Sequence, residues 1–134
     1  MTYLMRNLLT LLIIALFFTA CKPSVSTECL YGKWKYTRVQ HPNGNPSDSI
    51  GLAALLEQKP YIEFTKQDSL LIYWDGKELS HGTFKIEGRN IRYKEILEDR
   101  TIREFPFYIE DFNDKQIIFS TKGTDGSEVT AIKE

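Results

Sequence analysis

The sequence predicts an all-β domain of about eight antiparallel strands, closed as an up-and-down barrel or packed as a sandwich, behind an N-terminal export segment. Three observations predict it. Short runs of alternating apolar and polar residues recur at near-even spacing from residue 29 to residue 133, with Gly, Asn, Asp and Pro between them. One stretch, residues 50–59, is the single helical candidate. The apolar block LLTLLIIALFF (8–18) follows a short basic start, MTYLMRN.

A chain of 134 residues has room for one domain and a targeting segment. Removing residues 1–20, whose only charge is Arg6, leaves 16 basic against 18 acidic residues, a net charge of −2. That balance lacks the basic face a nucleic-acid partner requires, so no nucleic acid is expected. The aromatics are mostly Tyr and Phe, as suits a β-rich core.

The block 8–18 falls short of the roughly 20 apolar residues that cross a bilayer, and it fits the h-region of a signal peptide better than a core helix. Standard cleavage after Ala20 would put Phe18 at −3, where a small residue is needed. Cleavage after Ser26 would bury Lys22 and Pro23 in the recognition region. Phe18-Thr19-Ala20-Cys21 instead resembles the bacterial lipoprotein signal, in which three residues precede a lipidated cysteine; Phe18 stands where Leu is usual. The resemblance implies a signal peptide over 1–20 and a diacylglycerol thioether on Cys21. A further acyl chain, such as palmitate, would sit on the new α-amino group. Two or three chains make membrane attachment stable where one is marginal.

The competing use of Cys21 is a disulfide with Cys29, worth roughly 2–3 kcal/mol. It would leave the place of Cys21 at the end of the apolar block as coincidence. Cys29 is therefore expected to be a free thiol, a small buried hydrophobe at the start of the first strand. Residues 21–28 read as a lipidated tether and 29–134 as the folded domain. Lys22 follows the cysteine where an inner-membrane retention signal would have Asp, which indicates the outer membrane of a bacterial envelope.

CLYGKWKYTRV (29–39) alternates, with Leu30, Gly32, Trp34 and Tyr36 on one face. HPNGNPSDS (41–49) is a loop. Residues 50–59 form the helix, capped from Ser47, Asp48 or Ser49 and stopped by Pro60, with Leu52, Ala53 and Leu56 on one face and Leu55 at its edge. PYIEFT (60–65) and SLLIYW (69–74) follow, the second ending at Asp75-Gly76, a hairpin signal. KELSHGTFKIE (77–87) has Gly82, Phe84 and Ile86 in phase and turns at Gly88-Arg89-Asn90 into IRYKEIL (91–97). After EDRT (98–101) comes IREFPFYI (102–109), whose Pro106 requires an edge or bulge position because it lacks a ladder donor. QIIFST (116–121) and EVTAIK (128–133) complete the set, joined through GTDGS (123–127). Closing these strands into a barrel removes the sheet edges that a lone β-domain would otherwise have to protect.

Gly32-Lys33-Trp34 resembles the G-x-W motif of the lipocalin superfamily. Gly82-Thr83-Phe84-Lys85-Ile86 with Gly88-x-Asn90 is similar to a second motif of lipocalin-like domains in lipoproteins of the Bacteroidetes type, Phe84 standing where Trp is usual. Tyr61 through Thr65 and Ile109 through Phe119 fall where that family has its second strand and late hairpin. The resemblance covers most of 29–134 and implies an eight-stranded up-and-down barrel with one short helix between strands 1 and 2. Trp34 would plug the closed end, with Gly32 letting the N-terminal segment pass closely over it. No arginine partner for Trp34 is evident near the C-terminus.

No catalytic chemistry is expected. His41 and His81 form no H-x-H or HExxH, the cysteines lack C-x-x-C spacing, and nucleophile-elbow and P-loop motifs are absent, so no metal, cofactor or enzymatic activity is predicted. Asp111-x-Asn113-Asp114 and Asp125-Gly126 read as turns rather than calcium loops. Glu95, Glu98 and Asp99, and Glu110-Asp111, read as a solvated rim, and His81 as solvent-facing. Two functional readings remain. In one the barrel is a calyx for a small hydrophobic molecule, lined by Trp34, Tyr36, Phe64, Trp74, Phe84, Tyr93, Phe105 and Phe107, with Tyr36, Tyr93 and Arg103 as polar contacts. In the other those side chains fill the barrel, and the protein acts through its surface on an envelope protein partner. An eight-stranded barrel accommodates either outcome.

Overall fold

The computed structural model describes residues 2–7, 25–42, 48–122 and 126–134. The whole apolar block 8–18, Cys21 and the start of the tether lie outside the described residues, as do positions 43–47 and 123–125. Residues 2–7 are helical. Among the described residues no helix is long and apolar enough to cross a membrane.

Among the described residues nine strands form: β1 (Gly32–His41), β2 (Asp48–Ile50), β3 (Tyr61–Phe64), β4 (Ser69–Trp74), β5 (Lys77–Glu87), β6 (Asn90–Ile96), β7 (Ile102–Phe112), β8 (Gln116–Ser120) and β9 (Glu128–Lys133). Each of β3 through β8 pairs antiparallel with the next, β1 pairs with β3, and β1 also pairs with β9 from Trp34↔Lys133 to Gln40↔Glu128. That last ladder closes an eight-stranded barrel. The up-and-down barrel is thus the outcome, and the sandwich is not formed.

The ninth strand corrects the expected connection. Asp48–Ile50, expected as loop, helix cap and first helical residue, instead extends the edge of β1 by pairing Val39↔Ile50 through His41↔Asp48. β3 occupies that same edge only from Gly32 to Lys35. The upper half of β1 would otherwise show open backbone donors and acceptors, and β2 satisfies them. The short helix therefore falls between β2 and β3.

Besides residues 2–7, the described residues include two helical segments that belong to the barrel domain, α1 (Thr27–Leu30) and α2 (Leu52–Gln58). α2 begins at Gly51 without a side-chain cap. It ends at Lys59, whose φ of 46° turns the chain and whose N–H bonds the Leu55 carbonyl at 2.9 Å before buried Pro60. Its expected apolar face is corrected: Leu55 is the buried residue, 2% exposed, while Leu52 and Leu56 are 63% and 55% exposed. The helix has two turns, and its rotation follows its attachments to β2, Pro60 and Trp74 rather than its own periodicity.

The folded part begins before residue 29. Val25 and Leu30 are buried in the core cluster. Cys29 lies in α1, not in a strand, and is a free, exposed thiol whose sulfur accepts from Ser26 Oγ at 3.0 Å. The expected buried thiol is overturned because β1 starts only at Gly32, where φ is +126°, a conformation that favours glycine. Pro106 pairs opposite Arg92 where β7 has run past β8, whose ladder with β7 ends at Tyr108↔Ser120, so no sheet donor is lost there.

Alternation sends Trp34 and Tyr36, Ile62 and Phe64, Leu70, Gly82 and Phe84, Ile91 and Tyr93, Phe107 and Ile109, Ile117 and Phe119, and Val129 and Ala131 into the barrel. Gly82 is required by packing: a Cβ there would collide with the Lys94 carbonyl and press on the Tyr93 ring.

Candidate functional site: the barrel interior and its mouth

The closed end is built around Trp34. Its indole N–H donates to the Leu30 carbonyl at 2.7 Å, and its ring meets Phe112 with centroids 5.9 Å apart. Lys133 Nζ lies 5.3 Å from the ring centroid, supplying a cation near the C-terminus where the sequence shows no arginine. A Cβ on Gly32 would approach the Lys133 side chain to 3.2 Å, so glycine lets the N-terminal segment and the last strand meet over the plug. The turns β3–β4, β5–β6 and β7–β8 share this end, and Tyr31 OH donates to Asp68 Oδ1 across it at 3.1 Å.

Above the plug, aromatic rings meet one another across the interior. Phe64 and Phe84 pack edge to face at 5.0 Å. Tyr36 touches Trp74 and Phe119, each at 6.2 Å. Tyr93, Phe105 and Phe107 form a three-ring cluster with centroids 5.3–5.7 Å apart, and Phe107 reaches Phe119 at 5.4 Å. Burial raises the hydroxyl pKa of Tyr36 well above the usual phenol value. Burial likewise pushes Tyr93 up to about 12, against a lowering by its Ser80 hydrogen bond.

Toward the mouth, where the β4–β5 and β6–β7 turns lie, the interior becomes polar. Ser80 Oγ lies 2.6 Å from Tyr93 OH and donates to Glu95 Oε1 at 2.9 Å. Arg103 grips Glu95 Oε2 through Nε at 3.0 Å and Nη2 at 2.5 Å. The Glu95 side chain is 12% exposed and that of Arg103 is 62% exposed, so the carboxylate faces inward and the guanidinium faces the opening. Arg103 also lies 5.2 Å from the Phe105 ring centroid. Phe105 is half-buried beside this network, Ile72 pairs with Ser80, and Trp74 is half-buried farther along β4. Trp74 Nε1 donates to Gln58 Oε1 at 2.5 Å, which pins α2 to the barrel.

The nine residues expected to line the interior, Trp34, Tyr36, Phe64, Trp74, Phe84, Tyr93, Arg103, Phe105 and Phe107, are placed at three levels. Trp34, Phe64 and Phe84 belong to the closed end. Tyr36, Tyr93 and Phe107 fill the middle, and Trp74, Phe105 and Arg103 reach the mouth. Glu95 is a correction. It was expected on a solvated rim with Glu98 and Asp99, yet it is buried between Ser80 and Arg103. The alternation Ile91, Tyr93, Glu95 allows an inward side chain, but its partners come only from the register that sets Glu95 opposite Arg103. Glu98 and Asp99 are exposed, and bonds from Thr101 lower the Asp99 pKa. His81 is exposed, 3.6 Å from Glu78. Among the described residues no group of His, Cys, Asp and Glu side chains is placed to hold a metal ion.

The β5–β6 ladder stops at Gly82↔Glu95. Beyond it a cleft of about 180 Å³ opens, lined by Leu79, Ser80, His81, Glu95, Ile96 and Glu98, so the polar network is reached through the wall as well. A groove of about 600 Å³ lies outside the barrel between α2 and the outer faces of β1 and β3, where Lys33, Lys35, Lys59 and Tyr61 alternate with Glu57, Asp75 and Glu134. Gln58 also lines it and accepts from Trp74 Nε1, so the groove adjoins the mouth behind α2.

A closed eight-stranded antiparallel barrel, plugged by a G-x-W tryptophan at one end and flanked by a short helix at the other, is a lipocalin-like fold. The solved structures agree. A lipocalin-like protein from Bacteroides uniformis ATCC 8492 superposes with a TM-score of 0.57 at 17% identity, over 79% of this chain and 99% of that one. An uncharacterized protein from Bacteroides eggerthii DSM 20697 superposes with a TM-score of 0.56 at 17% identity, over 78% of this chain and 99% of that one. No protein-family model matches the sequence, and no curated protein matches it.

Proposed function

We propose that the chain is a lipoprotein of a bacterial envelope, anchored in the outer membrane through Cys21, and that its barrel mouth holds one small, largely apolar molecule with a polar end. The observation that carries this reading is a guanidinium 5.2 Å from the half-buried Phe105 ring, oriented by Glu95 yet open to the mouth, with Trp74 half-buried at the same end of the barrel. The apolar body would lie on Trp74, Phe105 and Ile72, and the polar end would accept from Arg103. Burying about 200 Å² of apolar ligand surface yields about 5 kcal/mol, so the Arg103 contact is needed to overcome the cost of association. We assign the chain no catalytic step, metal or cofactor.

Organic extraction of the purified protein should release a defined hydrophobic molecule whose readdition changes Trp fluorescence. Arg103→Ala and Phe105→Ala should each weaken that titration. Empty extracts and a silent titration would overturn the binding reading. For the anchor, intact mass should show a lipidated chain starting at Cys21, and Cys21→Ser should leave the membrane fraction. A lipid-free chain starting at residue 25 or later would sink that part.

A second reading is favoured by the ring contacts that run from Tyr36 through Phe119 to Phe107 and Tyr93. On it the interior is packing alone, and the protein acts through its surface on an envelope protein. Exposed Leu79, Ile96 and Ile102 at the rim would then be the contact residues. Crosslinking from these positions in the native envelope would discriminate the two.

A further inference from the structure

We infer that the closed end of the barrel faces the lipid surface and that the mouth opens away from it, into the aqueous compartment. This rests on the anchoring of Cys21 proposed above. Four observations carry it.

The first is where packing begins. Val25 is 6% exposed and belongs to the core, only four residues after Cys21. Residues 25–28 are therefore part of the folded unit and add nothing to the reach of the tether. The second is where that segment is fastened. α1 follows at once, the Leu30 carbonyl accepts from the Trp34 indole, and the Cys29 carbonyl accepts from Lys133 Nζ at 3.4 Å. Both partners belong to the closed end.

The third is reach. Four residues span at most about 14 Å when fully extended. The cysteine side chain and its glycerol extend this by a few ångströms.

The fourth is the height of the barrel. β5 runs the full distance from the mouth to the closed end with eleven residues. At about 3.3 Å per residue and a tilt near 40°, that is about 27 Å along the barrel axis. A mouth-down barrel would hold Val25 about 27 Å above the lipid, roughly twice what the tether spans. The exposed apolar residues Leu79, Ile96 and Ile102, together with the Arg103 guanidinium, then face water and whatever arrives through it. The molecule held at the mouth is taken from the aqueous side and not from the bilayer that carries the anchor.

The test uses the full lipidated chain in phosphatidylcholine vesicles containing a lipid with a nitroxide on its headgroup. In a Cys29→Ser background, one fluorophore is placed at Gln67→Cys, in the β3–β4 turn of the closed end. In a second protein it is placed at Glu98→Cys, in the β6–β7 turn of the mouth. Both positions are exposed. Quenching at residue 67 should exceed that at residue 98 severalfold, and inserting ten Gly/Ser residues between Ser24 and Val25 should erase most of the difference. Equal quenching at the two positions with the native tether, or stronger quenching at 98, would overturn the orientation while leaving the anchor intact. A chain that carries no lipid by intact mass and does not float with the vesicles would overturn the anchor, and the orientation with it.

Discussion

Trp34 and Leu30 are joined by a 2.7 Å hydrogen bond from the indole N–H to the backbone carbonyl, four residues apart in sequence. The bond ties the segment that enters the fold to the plug of the barrel. With Lys133 held 5.3 Å from the same ring, both chain ends of the barrel meet on one side chain.

Replacing that side chain should therefore do more than open a cavity. Trp34→Ala is expected to cost about 3–5 kcal/mol, and Trp34→Phe about 1–3 kcal/mol, since Phe keeps a ring but leaves the Leu30 carbonyl unsatisfied. Urea unfolding measures both. Amide exchange at residues 25–30 should accelerate in Trp34→Phe by more than exchange in β5–β6.

Two glycines should respond in opposite ways. Gly82→Ala drives a Cβ into the Lys94 backbone and should destabilise by about 3 kcal/mol. At Gly51 a Cβ meets nothing and the backbone already lies at φ −65°, so Gly51→Ala should stay within about 1 kcal/mol of the parent. Equal midpoints for the two variants would contradict the close approach of β5 to β6.

The Glu95–Arg103 pair should be asymmetric. Arg103→Ala leaves a buried carboxylate without its cation, whereas Glu95→Gln releases a guanidinium that is already 62% exposed. Because water screens the arginine, the cost of the first should fall below the 3–5 kcal/mol of a fully buried pair, at about 1–2 kcal/mol, with the second below about 1 kcal/mol. The reverse order in chemical denaturation would place the carboxylate, not the arginine, in solvent.

Alkali should unfold the protein through its interior tyrosines. Tyr93 titrates at about 12 in the fold, against an ordinary phenol value near 10. Stability from its burial is thus complete below pH 10 and lost as pH rises through 12; Tyr36 shifts the same way. A tyrosinate absorbance titration should find these two hydroxyls ionising last, together with unfolding. Tyr93→Phe should flatten the stability loss over that window.

Cys29 should react with a thiol reagent in the native state, since its sulfur is exposed on α1. Labelling that required denaturant would mean that α1 is docked differently.

Alternation and turn chemistry determined the strands of this barrel. Asp75-Gly76 and Gly88 take positive φ where the hairpins turn, and each run between them has one period-two apolar face. These are local properties, so each segment carries them by itself. The G-x-W plug was equally legible, because it needs a glycine and an indole two residues apart and nothing else. The tertiary structure alone decided the rest. Asp48–Ile50 became a strand because the upper edge of β1 was open, and a three-residue segment shows no period of its own. Leu55 rather than Leu52 or Leu56 turned inward because α2 is short and is held by what lies on either side of it. Glu95 left the expected rim because register set it opposite Arg103 and beside Ser80, residues 8 and 15 positions away. A carboxylate's burial depends on partners brought from other strands, and the energy that permits it exists only once the barrel has closed.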